Sequence, residues 1–550
     1  MIPGSILLVL LSLLALAEPD LTSKVERLGI PSARRYDKDE LLYARNVWDL
    51  HVFEGRLFIG SGNSNNEGPA PNAGPVDVSV FDARRGRFEI EATLQDCQVD
   101  RFREIGGKLH IPGHDPLESW ELGNVYVREG ERWVQHRTIP GGIHVYDLHE
   151  FEGRLYAALG ANKKVAGSRT VMVSEDDGKS WKPASDTWGR IYTLFELEGQ
   201  FYGGGVTSVW GWKGDRFEFL GLTRDLLAGG TAGGRVARWL TFEGRLVCIL
   251  GEKTSDHQWF PSQGFVVRAF DLPAVRIGVK GLPFDVLERD GACWVLSNQR
   301  IGREEGEGGN PSCWVRVHAS FDLEVWHPVL EFRSDTFARS FEILDGSYYF
   351  GLGSHVDRPH PGTGMILRIR GEHVEPAVAR LQALEAVEVA RLAGVEGKTL
   401  ASINDTISAA GTEWERGHVG RAQAACERAL SRVKDAVGVR DPGPLCLTME
   451  SSRVVIGKAV TFGLRVRGKR PRREALASLE IQDAMGRRLR LLETTGGKAP
   501  SGPWVLSFPW DGTTDEGLPV PVGEVRILGR LAVDGRPLLP VRGSVLVVSP

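Results

Sequence analysis

The stretch that decides the fold is DLHEFEGRLYAALG, residues 147–160. Its first half alternates apolar and polar residues, Glu152-Gly153 supplies a turn, and a second apolar run follows. Period-two alternation on both sides of a Gly turn is typical of a β-hairpin, because Gly tolerates the positive φ that a tight turn needs. The stretch therefore predicts two paired strands.

The same phrase occurs seven times. Clear copies lie at residues 49–62, 147–160, 193–205, 239–251 and 340–353, and looser copies at 101–113 and 286–298. The turn glycines are Gly55, Gly107, Gly153, Gly199, Gly244, Gly291 and Gly346, so the successive gaps are 52, 46, 46, 45, 47 and 55 residues. A period near this length is typical of a β-propeller blade.

We therefore predict a mainly all-β chain with a seven-bladed propeller of four-stranded blades over residues 18–375. Within each blade the strands are lettered a to d from the axis outward. For the seventh blade the sequence predicts that residues 365–370 and a short strand near His373 complete the sheet.

The N-terminus is typical of a secretory signal. Residues 6–17 form an apolar run that ends in Ala15-Leu16-Ala17, a small-x-small cleavage pattern. Cleavage after Ala17 predicts an exported protein, secreted or held in the periplasm or at the cell surface, with no membrane-spanning segment left. The alternative is an uncleaved anchor, although the run is short for a span.

Composition excludes some partners. The formal net charge of −4 argues against nucleic-acid binding. The six cysteines show no CxxC or other metal-ligand spacing, so we expect no metal and no cofactor. Cys426 and Cys446 flank a predicted domain junction, where an oxidising compartment would allow a disulfide.

The most specific motif lies in the predicted turn between strands c and d of blade 3. Residues 174–181 read SEDDGKSW, so that Ser174, Asp176, Gly178 and Trp181 fit the pattern Ser-x-Asp-x-Gly-x-(Ser/Thr)-Trp. This pattern resembles the Asp-box of BNR-repeat, sialidase-like propellers, a group of exported, glycan-associated proteins. The resemblance implies a structural role for these four residues and carries over no catalytic residue.

After the propeller, the sequence changes character twice. Residues 376–441 are rich in Ala, Leu, Glu and Arg at helical spacing, which predicts an α-helical connector, or alternatively a helix laid against the propeller. Residues 442–550 contain about seven short apolar runs separated by turns, typical of a β-sandwich. The phrase FPWDGTTDEGLPVPVGE, residues 508–524, resembles the Ig-like domain of flagellar hook-capping proteins, which implies a bacterial source and a spacer or adhesion role.

Two features locate a candidate site. The b-to-c and d-to-a loops of a propeller share one face, and the predicted b-to-c loops at 60–75, 113–123, 251–264, 297–312 and 353–364 are long. Polar residues in these loops are His114, Asp115, Trp120, His257, Trp259, Arg300, Arg303, His355, Asp357, Arg358 and His360.

The second feature is the start of strand a. Six residues before each turn glycine stand Asp49, Arg101, Asp147, Thr193, Arg238, Asp285 and Ser340. Nine residues before each glycine stand Asn46, Gln98, His144, Arg190, Arg235, Leu282 and Phe337. Both sets should approach the axial channel. The ligand-binding candidates are Asp49, Arg101, His144, Asp147, Arg190, Arg235, Arg238 and Asp285.

Two interpretations of this ring of charges stand open. The ring either forms a plug of mutually neutralised ion pairs or forms a pocket in which Arg190, Arg235 and Arg238 bind a carboxylate or sulfate. The sequence accordingly predicts a monomeric propeller that binds a glycan or a cell-surface protein without catalysis. The alternative is a polysaccharide lyase or sialidase-like glycoside hydrolase that acts on an acidic carbohydrate in the axial pocket.

Overall fold

The structure is a computed structural model of the chain. The structure describes residues 20–548 except for 67, 188, 229–233, 243, 254–258, 302–311, 393–397, 416–418, 438–444, 450–452, 456–459, 467–474, 483–487, 497–503, 516–517, 521–522, 534–535 and 538–540. The predicted signal peptide, residues 1–17, lies outside the described residues. The chain divides into two compact units, of which one spans Asp20–His373.

The unit Asp20–His373 is a propeller of seven four-stranded antiparallel sheets, as predicted. The strands of blades 1 to 3 are Asp49–Phe53, Arg56–Gly60, Val76–Asp82 and Arg87–Leu94; Arg103–Ile105, Lys108–Pro112, Leu122–Glu129 and Arg132–Pro140; and Gly142–Phe151, Arg154–Ala161, Val171–Ser174 and Lys182–Pro183. Those of blades 4 and 5 are Thr193–Leu197, Gln200–Gly204, Ser208–Trp212 and Phe217–Leu222; and Arg235–Phe242, Arg245–Lys253, Trp259–Val267 and Val275–Arg276. Those of blades 6 and 7 are Leu282–Arg289, Ala292–Arg300, Cys313–Ser320 and His327–Ser334; and Ala338–Leu344, Ser347–Leu352, Ile366–Ile369 and Glu26–Gly29.

The a-to-b turns explain the repeated phrase. In blade 1, Glu54 and Gly55 have φ of 49° and 71°, and the corresponding pairs of blades 2, 3, 4, 6 and 7 are also both positive. Two positive φ values in a two-residue loop define a type I′ turn, whose twist matches that of the strands it joins. A Cβ added at Gly55 would meet no atom within 4 Å, so this position requires Gly for its backbone conformation and not for space.

The closure of blade 7 corrects the sequence prediction. Its outer strand is Glu26–Gly29, from the N-terminal side of the propeller, while the residues near His373 form a 3-10 helix, Gly371–His373. The Glu26 carboxylate accepts hydrogen bonds from Arg368 and Arg370. A strand contributed from the far end of the chain leaves no trace in the local repeat, which is why the pattern around His373 was wrongly assigned.

Apolar cores lie between neighbouring blades. One cluster joins Phe58 and Val78 of blade 1 to Leu109 and Ile111 of blade 2, all of them fully buried. Because each sheet is covered on both faces by its neighbours, its inner strands are apolar on both faces. This packing holds the starts of the seven a strands rigidly around the axis.

The c-to-d turn of blade 3 is held by its own side chains. Ser174 Oγ accepts a 2.8 Å hydrogen bond from the Gly178 amide, and Asp176 Oδ1 accepts one of 2.8 Å from the Ser180 amide. The indole of Trp181 donates to Thr138 Oγ1 and packs on the blade core. These contacts stabilise the turn, which lies on the face opposite the b-to-c loops and contains Ser174, Asp176, Gly178 and Trp181.

The remaining described elements are the following. Short helices occur at Thr22–Lys24, Asp39–Arg45 and Thr223–Leu226, and longer ones at Glu375–Leu392, Lys398–Glu415 and Val419–Val437. One C-terminal sheet contains Leu445–Met449, Val460–Val466 and Trp504–Trp510, and the other contains Arg453–Val455, Val541–Val548, Gly523–Val533, Ala475–Gln482, Arg488–Gly496 and Arg536–Pro537.

The three long helices share an apolar core that includes Ile403, Ile407, Ala429 and Val433. Cys426 lies in this core as a buried free thiol, so the structure does not pair it with Cys446. The Ig-like assignment of the C-terminal strands stays a prediction. None of the described helices is long and apolar enough to cross a membrane.

Candidate functional site

A pocket of about 390 Å³ lies at the axial mouth of the propeller, on the face of the b-to-c loops. It is lined by Tyr43, Trp48, Asn63, Ser64, Asn65, Asn66, Gln98, Asp100, His114, His144, Tyr146, Arg190, Tyr192, Val206, Arg235 and Lys253. This volume falls in the range of small-ligand sites. The lining combines aromatic rings with amide and cationic groups, a mixture suited to polar ligands that also carry an apolar face.

The two residue sets found in the sequence occupy different depths. Gln98, His144, Arg190 and Arg235, nine residues before their turn glycines, line the pocket. The candidates six residues before the glycines are absent from the lining and lie in a layer below it, at the starts of the a strands. A three-residue difference in register therefore separates the pocket wall from its floor.

The three aspartates of the floor join neighbouring blades. Oδ2 of Asp49 accepts a hydrogen bond of 2.7 Å from the Phe102 amide, that of Asp147 one of 3.0 Å from Leu194, and that of Asp285 one of 3.1 Å from Phe341. In each case the donor stands five residues before the turn glycine of the next blade. The same side chain thus makes the same inter-blade bond three times around the ring.

Two arginines of the floor cross the axis. Arg101 of blade 2 lies 3.2 Å from Asp147 Oδ2 and donates to the Ala237 carbonyl of blade 5. Arg238 of blade 5 lies 3.4 Å from Asp285 and 3.8 Å from Asp49, and it donates to the Trp48 carbonyl. The bonds to the Ala237 and Trp48 carbonyls join blades that are not neighbours, so these two side chains close the channel beneath the pocket.

Two of the floor carboxylates, Asp147 and Asp285, differ in pKa. Burial acts to raise the pKa of Asp147, but Arg103 and Arg101 outweigh it and hold that pKa well below its usual range. Burial raises the pKa of Asp285 to about 7 despite the opposing effect of Arg238. We therefore infer structural roles for Asp49, Asp147 and Asp285, and their predicted part in ligand binding is not favoured by this geometry.

The cationic wall of the pocket comes from blades 4 and 5. The guanidinium of Arg235 lies 4.8 Å from the ring centroid of Tyr192, a cation–π distance, and Arg190 and Lys253 line the same side. Opposite, the b-to-c loop of blade 1 presents Asn63, Ser64, Asn65 and Asn66, because blade 1 faces the boundary of blades 4 and 5 in a ring of seven. The pocket has an amide wall and a cationic wall.

Asp115 anchors the amide wall. Its Oδ2 accepts hydrogen bonds of 2.6 Å from Asn66 and 3.1 Å from Asn72, and its Oδ1 lies 2.8 Å from His144 Nδ1. Asp115 is buried and has a φ of 55°, a conformation that few non-glycine residues adopt. The Asp115 carboxylate therefore joins the loop of blade 1 to the wall formed by blade 3.

Aromatic contacts order the wall between the two sides. The rings of His144 and Tyr146 are stacked at 5.2 Å, and Tyr146 lies 4.5 Å from Tyr192. Burial lowers the pKa of His114, edge-on to Tyr146 at 5.3 Å, to about 4, so this imidazole is neutral near pH 7. Burial acts to raise the pKa of Asp100, but the neighbouring Arg101 and His114 outweigh it and hold that pKa below its usual range.

Aromatic rings from blades 5, 6 and 7 cluster on the other side of the mouth. Phe260, Phe284, Phe337 and His355 form a cluster with ring-centroid distances of 4.7 Å between Phe260 and His355 and 5.2 Å between Phe284 and Phe337. The pocket is therefore displaced toward blades 1 to 5. His257 and Arg303, candidates from the sequence, lie outside the described residues.

Sequence reasoning missed several lining residues. Tyr43 and Trp48 precede blade 1, and Lys253 ends strand b of blade 5, so none of them stands in either of the two registers. The amide run at residues 63–66 was available as a signal, since four consecutive polar residues follow strand b of blade 1. Among the described residues no group of three or more His, Cys, Asp or Glu side chains is arranged to hold a metal ion.

Comparison with known proteins adds little to this picture. No family model and no curated protein matches the chain. Of solved structures, apo AztD from Citrobacter koseri is similar with a TM-score of 0.30 and 12% identity, over 55% of this chain and 79% of that one. Dimeric latent PorU from Porphyromonas gingivalis is similar with a TM-score of 0.20 and 10% identity, over 72% and 32%. Neither likeness bears on the function of this chain.

Proposed function

We propose that the axial pocket binds an acidic carbohydrate. The observation that carries the proposal is the placement of Arg190, Arg235 and Lys253 on one side of a pocket whose other lining side chains are mostly amides and aromatic rings, with one carboxylate, Asp100. Planar guanidinium groups match carboxylate and sulfate geometry. Amides hydrogen-bond hydroxyl groups, and aromatic faces accept the apolar face of a sugar ring.

Charge supports an anionic ligand. Among the described lining residues, Arg190, Arg235 and Lys253 carry positive charge and Asp100 carries negative charge. Asp100 lies 3.5 Å from Arg101, which neutralises it from below. Three cationic lining side chains against one carboxylate favour a carboxylate- or sulfate-bearing ligand.

The wider setting of this function is also proposed. An exported protein with a signal peptide, a ligand-binding propeller and an Ig-like spacer would hold its pocket outside the cytoplasm, where glycans are exposed. Calorimetric titration with oligogalacturonate, oligoglucuronate and neutral cello-oligosaccharides tests the ligand class. We expect binding of the acidic oligosaccharides and none of the neutral ones.

Variants locate the site. Arg190→Gln and Arg235→Gln should each weaken binding of the acidic oligosaccharide by about 2 kcal/mol, the loss of a charged hydrogen bond. Arg216→Gln is the matched control, because the Arg216 side chain is 52% exposed in the c-to-d turn of blade 4. Equal affinity for neutral and acidic oligosaccharides, or unchanged binding in both pocket variants, would contradict the proposal.

A further inference from the structure

His144 and Asp115 form a carboxylate–imidazole pair in the wall of the pocket. Asp115 Oδ1 lies 2.8 Å from His144 Nδ1 in a close contact that does not have hydrogen-bond geometry, and neither atom has a hydrogen-bond partner among the described residues. A carboxylate at Nδ1 holds the proton there and leaves Nε2 as the basic nitrogen. His144 lines the pocket, and Nε2 is the ring nitrogen that Asp115 does not occupy.

The surroundings fix both partners. Amide hydrogen bonds from Asn66 and Asn72 occupy the second oxygen of Asp115, which turns the first toward His144. The imidazole is stacked on Tyr146, with an interplanar angle of 19°. Across the strand pair, Gly160 leaves the space that the ring needs, because a Cβ there would lie 2.9 Å from His144 Cδ2. A carboxylate, an oriented base and a restricted ring are the parts of a general-base site.

The pair also connects to the cationic side of the pocket. Asp115 is a buried carboxylate in contact with the imidazole of the pocket wall. On the same wall, Tyr146 contacts Tyr192, and Tyr192 contacts Arg235. A continuous row of ring contacts, through Tyr146 and Tyr192, therefore connects His144 to the guanidinium of Arg235, a group that can bind a carboxylate.

From this arrangement we infer that the pocket removes the proton next to the carboxylate of a bound uronate residue, with His144 as the general base and Asp115 as its positioning residue. The inference rests on the proposed function, because Arg190 and Arg235 must first hold the acid. Bound carboxylate charge is neutralised by these guanidinium groups, which lowers the cost of forming a carbanion-like transition state.

The reaction that follows is a β-elimination. The His144 Nε2 lone pair takes the C5 proton, and the electrons of the C5–H bond form a C4=C5 double bond. The C4–O bond breaks, and its electron pair stays on the departing oxygen, which takes a proton from water at the mouth. His144 then releases its proton to solvent. The products are an unsaturated uronate end and a shorter chain with a free hydroxyl, and no oxidant or metal is consumed.

The experiment follows products and binding on the same samples of the full chain. Oligogalacturonate and oligoglucuronate are incubated with the protein, and the conjugated double bond is detected by ultraviolet absorbance and mass spectrometry. Exchange of the C5 proton in D₂O is followed by NMR, which reports proton removal even where elimination is slow. We expect unsaturated product or C5 exchange from at least one of the two oligosaccharides.

Variants separate catalysis from binding. His144→Asn should lower turnover at least about 100-fold, and Asp115→Asn about 10- to 100-fold, while each changes the dissociation constant less than about fivefold. Loss of the carboxylate should move the acidic limb of the pH–turnover profile to lower pH while maximal turnover falls, a readout that a packing role would not change. Circular dichroism identifies a variant that fails to fold, in which case Asn66→Ala, at the exposed edge of the same network, replaces it.

The chain offers a matched control pair. His149 lies on the same strand as His144, toward its other end. Its Nε2 lies 2.8 Å from Glu196 of blade 4, and neither His149 nor Glu196 lines the pocket. His149→Asn and Glu196→Gln should leave turnover unchanged. Binding without product or exchange would overturn the inference and leave the proposed function intact. Absence of binding by both acidic oligosaccharides would overturn the proposed function and the inference with it.

Discussion

Oδ2 of Asp147 in blade 3 accepts a 3.0 Å hydrogen bond from the backbone amide of Leu194 in blade 4. The same carboxylate contacts Arg101 and Arg103, and its side chain is fully buried. Asp49 and Asp285 make the equivalent bond to the blades that follow them. The three aspartates that the sequence suggested as ligand-binding candidates thus form hydrogen bonds that join neighbouring blades.

Asp147→Asn should destabilise the propeller by about 3 kcal/mol, because it leaves two arginines next to a neutral group in a buried layer. Chemical denaturation followed by tryptophan fluorescence measures the effect. Asp186→Asn, at a side chain 79% exposed, is the control and should change the midpoint little. A loss below about 1 kcal/mol in Asp147→Asn would contradict the structural role.

Acid should remove this contribution. The pKa of Asp147 is lowered in the folded state, so its stabilisation is present above the unfolded-state pKa and is lost as pH falls through the folded-state value. The stability difference between wild type and Asp147→Asn should therefore be largest above about pH 5 and shrink in more acidic solution. Denaturation midpoints measured across a pH series check this, and a difference that grew in acid would contradict it.

Asp96 should show the opposite pH dependence. Its carboxyl is buried, accepts hydrogen bonds from Tyr126 and Asn124, and burial raises its pKa to about 7. A raised folded-state pKa contributes stability below the unfolded value, near pH 4, that is lost as pH rises through 7. Asp96→Asn mimics the protonated form. Its free energy of unfolding relative to wild type should therefore rise by up to about 4 kcal/mol between pH 4 and pH 8.

The Asp96 prediction is checked by the same denaturation series. Asp186→Asn again serves as the control, since an exposed carboxyl should produce no pH-dependent difference in this interval. A constant difference between Asp96→Asn and wild type from pH 4 to pH 8 would show that Asp96 titrates near its ordinary pKa.

Gly160→Ala should disturb the pocket wall. The added Cβ would lie 2.9 Å from His144 Cδ2 and 3.2 Å from Tyr146 Cε2, so both rings must move. We expect a destabilisation of about 1–3 kcal/mol, typical of overpacking, together with weaker binding of acidic oligosaccharides. Gly278→Ala is the control, because its Cβ would meet one atom, at 3.9 Å. Thermal unfolding and titration calorimetry measure both effects.

Ser174→Ala should loosen the c-to-d turn of blade 3. Its buried Oγ accepts hydrogen bonds from two turn amides, of which that of Gly178 is the shorter at 2.8 Å. Loss of this acceptor should cost about 1–2 kcal/mol and speed hydrogen exchange of the Gly178 amide. Ser320→Ala should act likewise on the Leu323 amide in blade 6. Unchanged exchange at both amides would contradict this role of the serines.

Much of the fold and part of the site were open to prediction from the sequence. The turn glycines predicted seven hairpins because a type I′ turn imposes a local requirement on φ, and that requirement repeats with each blade. Counting back from the same glycines identified His144, Arg190 and Arg235, which line the pocket. Their part in ligand binding remains a prediction.

What the sequence by itself determined was therefore everything that depends on neighbours along the chain: the hairpins, their number and the residues at the start of each inner strand. The tertiary structure alone decided that Glu26–Gly29 closes blade 7, that Arg101 and Arg238 span the axis, and that Asp115 meets His144. The physical reason is that these contacts join residues from different blades, and their partners are fixed by ring closure. The repeated hairpin sequence specifies the seven blades, and ring closure decides which charged side chains lie in the pocket floor and which lie in its wall.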